Sequence, residues 1–434
     1  MKCSIYNTKI TINQRHTLLY NSYSGKFIII KNKISNQVDL NNIKNERKDY
    51  KLYLQLYEAG VFVDDDTNEI ENLKKKIKDA ENNETEFILH INPTLDCNFN
   101  CWYCYENHIE KSIMSPEVLE AVKSFITSKL RNNRQIKFFE LGFFGGEPLL
   151  YFSKVAKNII QFAAEECNKS NVKFFVHFTS NGSLLSKSIL SFLKDYECGF
   201  QITLDGDKEH HNKTRFHKNG KGSFNTIINN LITLAQNKIE VIARINYTSD
   251  NIESTLSILS YFSSLEDELK RYIRFDFQRV WQDIDNRRDE AEAIVSSIRK
   301  AFRNEGFTVL ANYIPHNACD LCYGDKINHI LINYDGLVFG CTARDFTADN
   351  SIGKLEKDGS IVFDSTKVEK RNKSKFLKPI CHTCRIAPLC GGGCKQRASE
   401  SSNFQSCTMG YTESDKDDII LDIFDYFFCN EKGT

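Results

Sequence analysis

From about residue 86, short β-rich runs alternate with longer stretches of helical periodicity. The strand candidates are Phe87–Asn92, Phe138–Phe144, Lys173–Thr179, Gly199–Leu204, Ile239–Asn246 and Tyr272–Arg279. The helical stretches lie near 115–132, 153–168, 184–195, 223–237, 252–265 and 286–304. Repeated βα units with crossovers of this length predict an α/β fold with a parallel sheet, open or closed into a partial barrel.

Unusual residues follow these strands, at the carboxyl ends where parallel βα architectures place their chemistry. In chain order they are Cys97, Cys101 and Cys104, then Gly145-Gly146-Glu147-Pro148, Ser180-Asn181-Gly182, Asp205-Gly206, Arg244 with Asn246, and Gln278 with Arg279. Because these strand ends meet at one edge of a sheet, we predict a functional site there.

The first of these groups has the spacing Cys-x3-Cys-x2-Cys. A [4Fe–4S] cube is held by thiolates at its iron corners, so three cysteines leave one iron open to a small molecule. Zinc modules usually use paired Cys-x2-Cys elements, which makes zinc a poor fit here. Fifteen cysteines in a chain without a signal-peptide-like N-terminus favour metal binding over disulfides and a reducing cytoplasm.

The composition of the chain limits the classes of binding partner that we expect. The 434 residues suffice for about two or three domains, and Lys+Arg and Asp+Glu both total 57. This balance gives no global charge that would favour nucleic acid or an anionic membrane. No apolar run approaches the roughly 20 residues that span a bilayer. We therefore expect neither a nucleic-acid nor a membrane partner.

The cysteine triplet resembles the signature of the radical S-adenosylmethionine (SAM) enzymes. In that family the SAM amino and carboxylate groups bind the open iron, and reduction yields a 5'-deoxyadenosyl radical that abstracts a substrate hydrogen. The resemblance implies a partial (β/α)6 TIM-like barrel and places Tyr103 near the adenine. It also implies a reductant such as a flavodoxin or ferredoxin.

The turn after the second strand also matches the family. Gly145, Gly146 and Glu147 resemble its Gly-Gly-Glu-Pro element, which holds the SAM amino group. An ordinary strand-to-helix turn would use the same residue types. The resemblance further groups Ser180 and Asn181 with the SAM contacts.

The segment after the fourth strand is similar to another family element. Thr203 and Asp205 lie where the family carries Ser-Leu-Asp-Gly near the SAM ribose and carboxylate. Arg215 matches an arginine that binds the SAM carboxylate in related maturases, and Arg244 is the competing partner. The histidine pair at 210–211 is expected to be a solvated part of a loop.

The C-terminal third contains regularly spaced cysteines. They are Cys319, Cys322, Cys341, Cys381, Cys384, Cys390, Cys394 and Cys407, and four residues separate Gly336 from Cys341. The β-rich runs Ile327–Tyr334 and Leu337–Cys341 meet at Asp335-Gly336, which predicts a hairpin turn. This spacing resembles the seven-cysteine SPASM extension. The resemblance implies auxiliary cluster I on Cys322, Cys341 and Cys394 with Cys319 as fourth ligand, and cluster II on Cys381, Cys384, Cys390 and Cys407. Three [4Fe–4S] clusters are then expected in all, and a pair of structural zinc ions is the alternative.

The first 85 residues form a separate α+β pattern. We predict strands Tyr6–Ile12, Thr17–Tyr20 and Lys26–Ile30, and helices near Asp49–Ala59 and Glu69–Asn82. This small module resembles the leader-binding domains of peptide-modifying enzymes, although a cap without a ligand would look the same. The predicted domains are 1–85, the radical SAM core 86–310, the SPASM domain 311–410 and a C-terminal helix 411–434.

SPASM enzymes mostly modify peptides, so a precursor peptide is the expected substrate. The main hypothesis is crosslink formation in a ribosomally made peptide; the alternative is anaerobic sulfatase maturation, which forms formylglycine. Sulfatase-type enzymes carry an aspartate base directly after the second SPASM cysteine, where this chain has Thr342. Asp345 is the candidate substitute base. A zinc-binding cysteine-rich scaffold is the non-enzymatic alternative.

Overall fold

The computed structural model describes residues 1–32, 50–283, 288–311, 322–372, 378–401 and 405–430. The chain divides into two compact units. The smaller unit combines Met1–Asn83, Ala311–Ile327 and Thr366–Phe428, and the larger unit combines Glu84–Leu310 with Asn328–Ser365. Within the described ranges, no helix is both long and apolar enough to cross a membrane.

Two unit breaks, after Asn83 and after Leu310, fall at the boundaries near 85 and 310 that the sequence suggested. The segment 311–410 is instead divided between the two units, and no break falls near 410. In the smaller unit, Tyr6 packs with Cys381 and Ala387 in one buried cluster. The Ser22 hydroxyl also donates to the carbonyl oxygen of Arg385. The N-terminal segment Met1–Asn83 and the segment Thr366–Phe428 therefore share a hydrophobic core, which explains why they form one unit.

The smaller unit begins with a three-stranded antiparallel sheet of order β2-β3-β4, beside a two-stranded pair of β1 and β5. The strands are β1 (Lys2–Cys3), β2 (Asn7–Thr11), β3 (His16–Asn21), β4 (Lys26–Lys31) and β5 (Phe62–Val63). The helices are α1 (Tyr50–Glu58) and α2 (Glu69–Glu81). The predicted elements of this segment are confirmed to within one residue at each described end.

The larger unit contains consecutive parallel strands joined by helices. The strands are β6 (Glu86–Ile91), β7 (Phe138–Phe143), β8 (Lys173–Ser180), β9 (Cys198–Leu204), β10 (Glu240–Tyr247), β11 (Ile273–Arg279) and β12 (Thr308–Val309). The helices are α3 (Pro116–Asn132), α4 (Ala156–Ser170), α5 (Lys187–Leu193), α6 (Lys208–Thr214), α7 (Phe224–Gln236), α8 (Asp267–Lys270) and α9 (Arg288–Asn304). Neighbours in sequence are neighbours in the sheet, which confirms the predicted α/β partial barrel.

The predicted hairpin around Gly336 is also confirmed, and it extends this sheet. The added strands are β13 (His329–Ile332), β14 (Leu337–Phe339), β15 (Gly353–Leu355) and β16 (Ile361–Phe363). Strand β13 runs parallel to β6, whereas β14, β15 and β16 continue as antiparallel neighbours. Gly336 adopts φ +82°, which suits glycine at the turn. The hairpin thus belongs to the barrel unit.

The remaining helices complete the C-terminal part of the chain. They are α10 (Ser365–Asn372), α11 (Pro379–His382), α12 (Ala387–Cys390), α13 (Lys395–Glu400) and α14 (Glu413–Asn430). Helix α14 covers one face of the β2–β4 sheet, where Ile420 and Ile423 join a buried cluster with Leu18 and Tyr20. In the part of the chain that the structure describes, 3-10 helices occur at Glu253–Tyr261, Tyr323–Asp325 and Ala348–Asn350.

The helical stretch predicted near 252–265 is present at Glu253–Tyr261, but it is a 3-10 helix rather than an α-helix. Serine recurs every third residue in this segment. The hydroxyls of Ser254, Ser257 and Ser260 each donate to the carbonyl oxygen three residues earlier, at 2.7–2.8 Å. Such side-chain bonds compete with α-helical hydrogen bonding and favour the tighter period of three residues.

His177 lies on β8, and its altered pKa gives a testable consequence. Burial lowers its pKa to about 4, and the Arg274 charge adds to this. Its unfolded pKa is about 6.5, so the unfolded state binds more protons as the pH falls. We expect the free energy of unfolding to decrease from pH 7 toward pH 4. His177→Gln should show a shallower decrease in denaturant titrations; parallel pH profiles for the two proteins would contradict this.

Candidate active site

The three cysteines that follow β6 lie close together. Cys97 is buried, and Cys101 and Cys104 are half-buried. Burial raises the pKa of all three thiols, to about 12 for Cys104, and the nearby charge of Cys101 raises those of Cys97 and Cys104 further. Buried thiols become thiolates when a metal supplies the compensating positive charge. The structure therefore brings together the predicted cluster ligands of the first site.

The glycine turn after β7 packs directly on the start of this cysteine loop. Gly145 and Gly146 have φ values of +77° and +49°. A Cβ on Gly145 would lie 2.5 Å from Asn92 Cγ, and a Cβ on Gly146 would overlap the Asp96 carbonyl oxygen. The backbone N–H of Glu147 donates to that same oxygen at 2.9 Å. Only glycine allows the two backbones to approach this closely.

The Glu147 carboxylate holds the ends of β7 and β8 together. It is fully buried and accepts hydrogen bonds from Ser180 Oγ at 2.7 Å, from the Asn181 N–H at 2.8 Å and from the Leu149 N–H at 3.0 Å. Asn181 Nδ2 donates in turn to Asn98 Oδ1 in the cysteine loop at 2.8 Å. The carboxylate expected to face an ammonium group thus already has partners on both oxygens.

Two residues of this site were missed in the sequence. Glu106 Oε2 accepts the Gly146 N–H at 2.7 Å, and burial raises its pKa to about 7, with the Asp345 charge adding to the shift. His108 Nε2 lies 3.5 Å from Cys104 Sγ. Glu106 and His108 follow Cys104 by two and four residues. This closeness to a predicted cluster ligand is the sequence signal by which they could have been predicted.

Tyr103 is the centre of a buried hydrogen-bond network. Its hydroxyl donates to Asp205, with O···O distances of 2.7 and 2.9 Å, and accepts from Arg215 Nη1 at 2.7 Å and Asn246 Nδ2 at 3.2 Å. Burial raises the pKa of Asp205 to about 6. Among the described residues, the buried Arg215 Nε has no hydrogen-bond partner. A buried guanidinium N–H without a partner is costly, and a ligand carboxylate is the acceptor that suits it.

The expectation of a solvated histidine pair is wrong for His211. Asp207 caps helix α6 by accepting the His210 N–H at 2.9 Å, and the helix turns His211 inward, where it is fully buried. His211 Nδ1 accepts the Asp205 N–H at 3.2 Å, and Nε2 lies 3.0 Å from Ser223 Oγ. His211 therefore supports the Tyr103 network from behind.

A cavity of about 570 Å³ opens beside the Tyr103 network. Its lining includes Trp102, Tyr103, Asp205, Lys213, Asn246 and Gln282. Thr203 pairs with Arg244 across β9 and β10, on the same face of the sheet as Asp205 and Asn246. The Arg244 Nε donates to Asn246 Oδ1 at 3.2 Å. Of the predicted SAM contacts, Tyr103 and Asp205 line the cavity, and Arg215 is hydrogen-bonded to Tyr103.

Asp345 links the loop after β14 to the segment after the cysteine triplet. Its carboxylate accepts the Asn107 N–H at 3.0 Å, the Asn107 side-chain amide and the Phe346 N–H at 2.9 Å. The Tyr105 hydroxyl donates nearby to the Thr342 carbonyl oxygen at 2.8 Å. These contacts describe a positioning residue, and a role for Asp345 as a base stays a prediction.

The smaller unit contains a second group of thiols. One small cavity there is lined by Cys381, Cys384, Cys390 and Cys407. Burial raises the pKa of Cys381 to about 11 and of Cys390 to about 12, and the charges of the other thiols add to both shifts. The structure thus brings together all four cysteines predicted for auxiliary cluster II.

Auxiliary cluster I stays a prediction. Cys319 lies outside the described residues. Cys322 and Cys394 belong to the smaller unit, and Cys341 belongs to the larger one. Across the described ranges, no three Cys, His, Asp or Glu side chains converge on a point that could hold a single metal ion. The thiolates of a cubane each bind a different iron and need not converge in this way.

Comparison with known proteins agrees with this geometry. Residues 91–259 match the Radical SAM superfamily. A cysteine-type anaerobic sulfatase-maturating enzyme of Clostridium novyi is 26% identical over 371 residues, covering 77% of this chain and 91% of that protein. Native anSMEcpe with bound AdoMet has a similar fold, with a TM-score of 0.57, 19% identity and coverage of 80% of this chain and 98% of that chain.

SuiB of Streptococcus suis, solved with its precursor peptide SuiA, also shares the fold. Its TM-score is 0.53 at 14% identity, over 93% of this chain and 98% of that chain. The matched residues 91–259 include the three clustered thiols, the glycine turn and the Tyr103 network. Residues 91–259 of this chain therefore form a radical SAM domain, and the chain is homologous to the anaerobic sulfatase-maturating enzymes over most of its length.

Proposed function

We propose that this enzyme modifies a ribosomally made precursor peptide in a reducing cytoplasm, most specifically by forming a crosslink. The observation that carries the proposal is that Trp102 and Tyr103, which stand between Cys101 and Cys104 in the chain, line an open cavity together with Asp205 of the Tyr103 network. Support for a peptide substrate comes from similar folds solved with peptides, namely SuiB with SuiA and anSMEcpe with the Cp18Cys peptide.

The residues of the first site fit a SAM-binding [4Fe–4S] cluster. Together, the cluster and SAM would supply a radical that removes one hydrogen atom from a substrate C–H bond, after which loss of a proton and an electron completes the oxidation. Cys97, Cys101 and Cys104 would hold the cluster. The unpartnered Arg215 Nε is suited to the SAM carboxylate, and Asp205 and Tyr103 fix the position of that arginine.

We assign the regularly spaced cysteines of the C-terminal third, Cys319 to Cys407, to two auxiliary clusters. These clusters would take up the electron released during the oxidation. Replacing Cys381 and Cys384 with alanine should therefore abolish the modified peptide while SAM cleavage persists. Peptide mass and deoxyadenosine release are the measurements. Cys3→Ala in the same unit is the control, because Cys3 belongs to no cysteine pattern. Unchanged peptide product from the double variant would refute the assignment.

The β2–β4 sheet supports a leader-binding role for the N-terminal module. One face packs against α14, and the other packs against Leu56, Ala59 and Phe62. Among the described residues, β4 pairs only with β3, so its outer edge could add a strand of the leader. Removing the leader from the precursor should then weaken binding without changing the modified residue.

Sulfatase maturation is the second candidate, and the similarity to sulfatase-maturating enzymes favours it. Against it, Thr342 occupies the position expected for the base, and Asp345 is held by its own hydrogen bonds. Mass spectrometry of a co-expressed precursor peptide separates the two. Loss of two hydrogens without an aldehyde supports crosslinking, and a product trapped by hydroxylamine indicates formylglycine. An iron content of about twelve per chain would exclude a zinc scaffold.

A further inference from the structure

Both tryptophans of the chain are exposed. Trp102 retains 58% and Trp281 retains 54% of its accessible surface. The chain contains two tryptophans in all. Large aromatic side chains contribute most when they are buried, so two exposed ones in one unit are unusual. Clustered exposed apolar surface beside a cavity typically marks a binding site.

One tryptophan lines the active-site cavity, and the other is next to two lining residues in the sequence. Trp102 lines the cavity directly, and Trp281 stands between two lining residues, Val280 and Gln282. The Trp281 ring stacks on Tyr105, with ring centroids 5.8 Å apart and an interplanar angle of 21°. We call Trp102, Tyr105 and Trp281 the aromatic rim.

The aromatic rim is held in place by the chain itself. The Tyr105 hydroxyl donates to the Thr342 carbonyl oxygen at 2.8 Å. Gln282 Nε2, next to Trp281, donates to the Tyr103 carbonyl oxygen at 2.8 Å, which joins the two sides of the rim. Because these rings are positioned before any ligand arrives, binding loses little conformational entropy. Preorganised aromatic side chains are typical binding hot spots.

We propose that the aromatic rim binds an aromatic or other apolar side chain of the substrate peptide, next to the residue that enters the cavity. This inference rests on the proposed peptide-modifying function. It adds that the enzyme prefers substrate peptides with an aromatic or other apolar residue beside the modified one. Single-stranded nucleic acid also stacks on exposed aromatics, but it needs a basic surface for its phosphates. The cavity lining carries Asp205, Asp250 and Asp283 alongside Lys213, which disfavours phosphate.

The test uses the anaerobically reconstituted full chain and two probes. These are acetyl-Gly-Gly-Phe-Gly-Gly-amide and the matched peptide with alanine in place of phenylalanine. Calorimetry measures the dissociation constant, and tryptophan emission reports whether the rim is touched. We expect the phenylalanine peptide to bind about tenfold more tightly, as one well-packed ring contact allows. Trp102→Ala and Trp281→Ala should each remove this preference.

Leu256→Ala is the matched control, because Leu256 is also exposed, at 46%, but lies on the 3-10 helix Glu253–Tyr261. It should keep the preference for phenylalanine. Equal affinity for the two peptides, or equal binding of a thymidine oligonucleotide, would overturn the inference. Deoxyadenosine release by the same wild-type preparation keeps the two proposals separate. Release without peptide preference overturns the rim alone, and no release overturns the proposed function.

Discussion

Replacing Cys97, Cys101 and Cys104 together with alanine should abolish SAM cleavage and remove about a third of the iron, or about four of twelve atoms. The reason is that burial raises the pKa of these three neighbouring thiols, so they ionise only when a metal supplies the compensating positive charge. Iron, sulfide and deoxyadenosine are measured after anaerobic reconstitution, together with the electron paramagnetic resonance of the reduced protein.

Cys198→Ala is the control for this experiment. Cys198 is also a buried cysteine of the barrel unit, at the start of β9, but it belongs to no cysteine pattern. It should keep the wild-type iron content and SAM cleavage. Continued release of deoxyadenosine by the triple variant would contradict the placement of the reaction centre, whatever its iron content.

Gly146→Ala should strongly destabilise the protein, because a Cβ there meets a closer backbone contact than at any other glycine whose surroundings the described residues define. Its Cβ would overlap the Asp96 carbonyl oxygen, and φ +49° disfavours any residue with a side chain. We expect a loss of about 3 kcal/mol or more in the free energy of unfolding, because the strain and the overlap add. Since Asp96 precedes the first cluster cysteine, iron incorporation should fall as well. Denaturant titration and iron analysis measure the two effects.

Gly220→Ala separates the two causes. Gly220 has a similar left-handed conformation, at φ +80°, but a Cβ there would meet nothing within 4 Å. Gly220→Ala should therefore lower the free energy of unfolding only through backbone strain, by about 1 kcal/mol. Equal losses for the two variants would mean that the close packing on the cysteine loop contributes nothing.

Residues fixed by local chemistry were predictable. The strands followed from β-rich runs, and Gly336 and Gly146 stand at turns where positive φ demands glycine. The roles of polar residues were harder to predict from the sequence. Glu147 was expected to face a ligand, but its oxygens accept from Ser180 and Asn181, which lie more than thirty residues away. His211 was expected in solvent, and only the capped helix α6 turns it inward.

The sequence alone determined the βα order, the cysteine spacing and the residues placed at the strand ends, because periodicity and ligand spacing are local properties of the chain. The tertiary structure decided which partners these residues have. It joined the N-terminal segment and Thr366–Phe428 in one unit and added β13 beside β6. It also left the buried Nε of Arg215 without a hydrogen-bond partner among the described residues. Such contacts depend on burial and hydrogen bonding between distant segments, which no local pattern encodes.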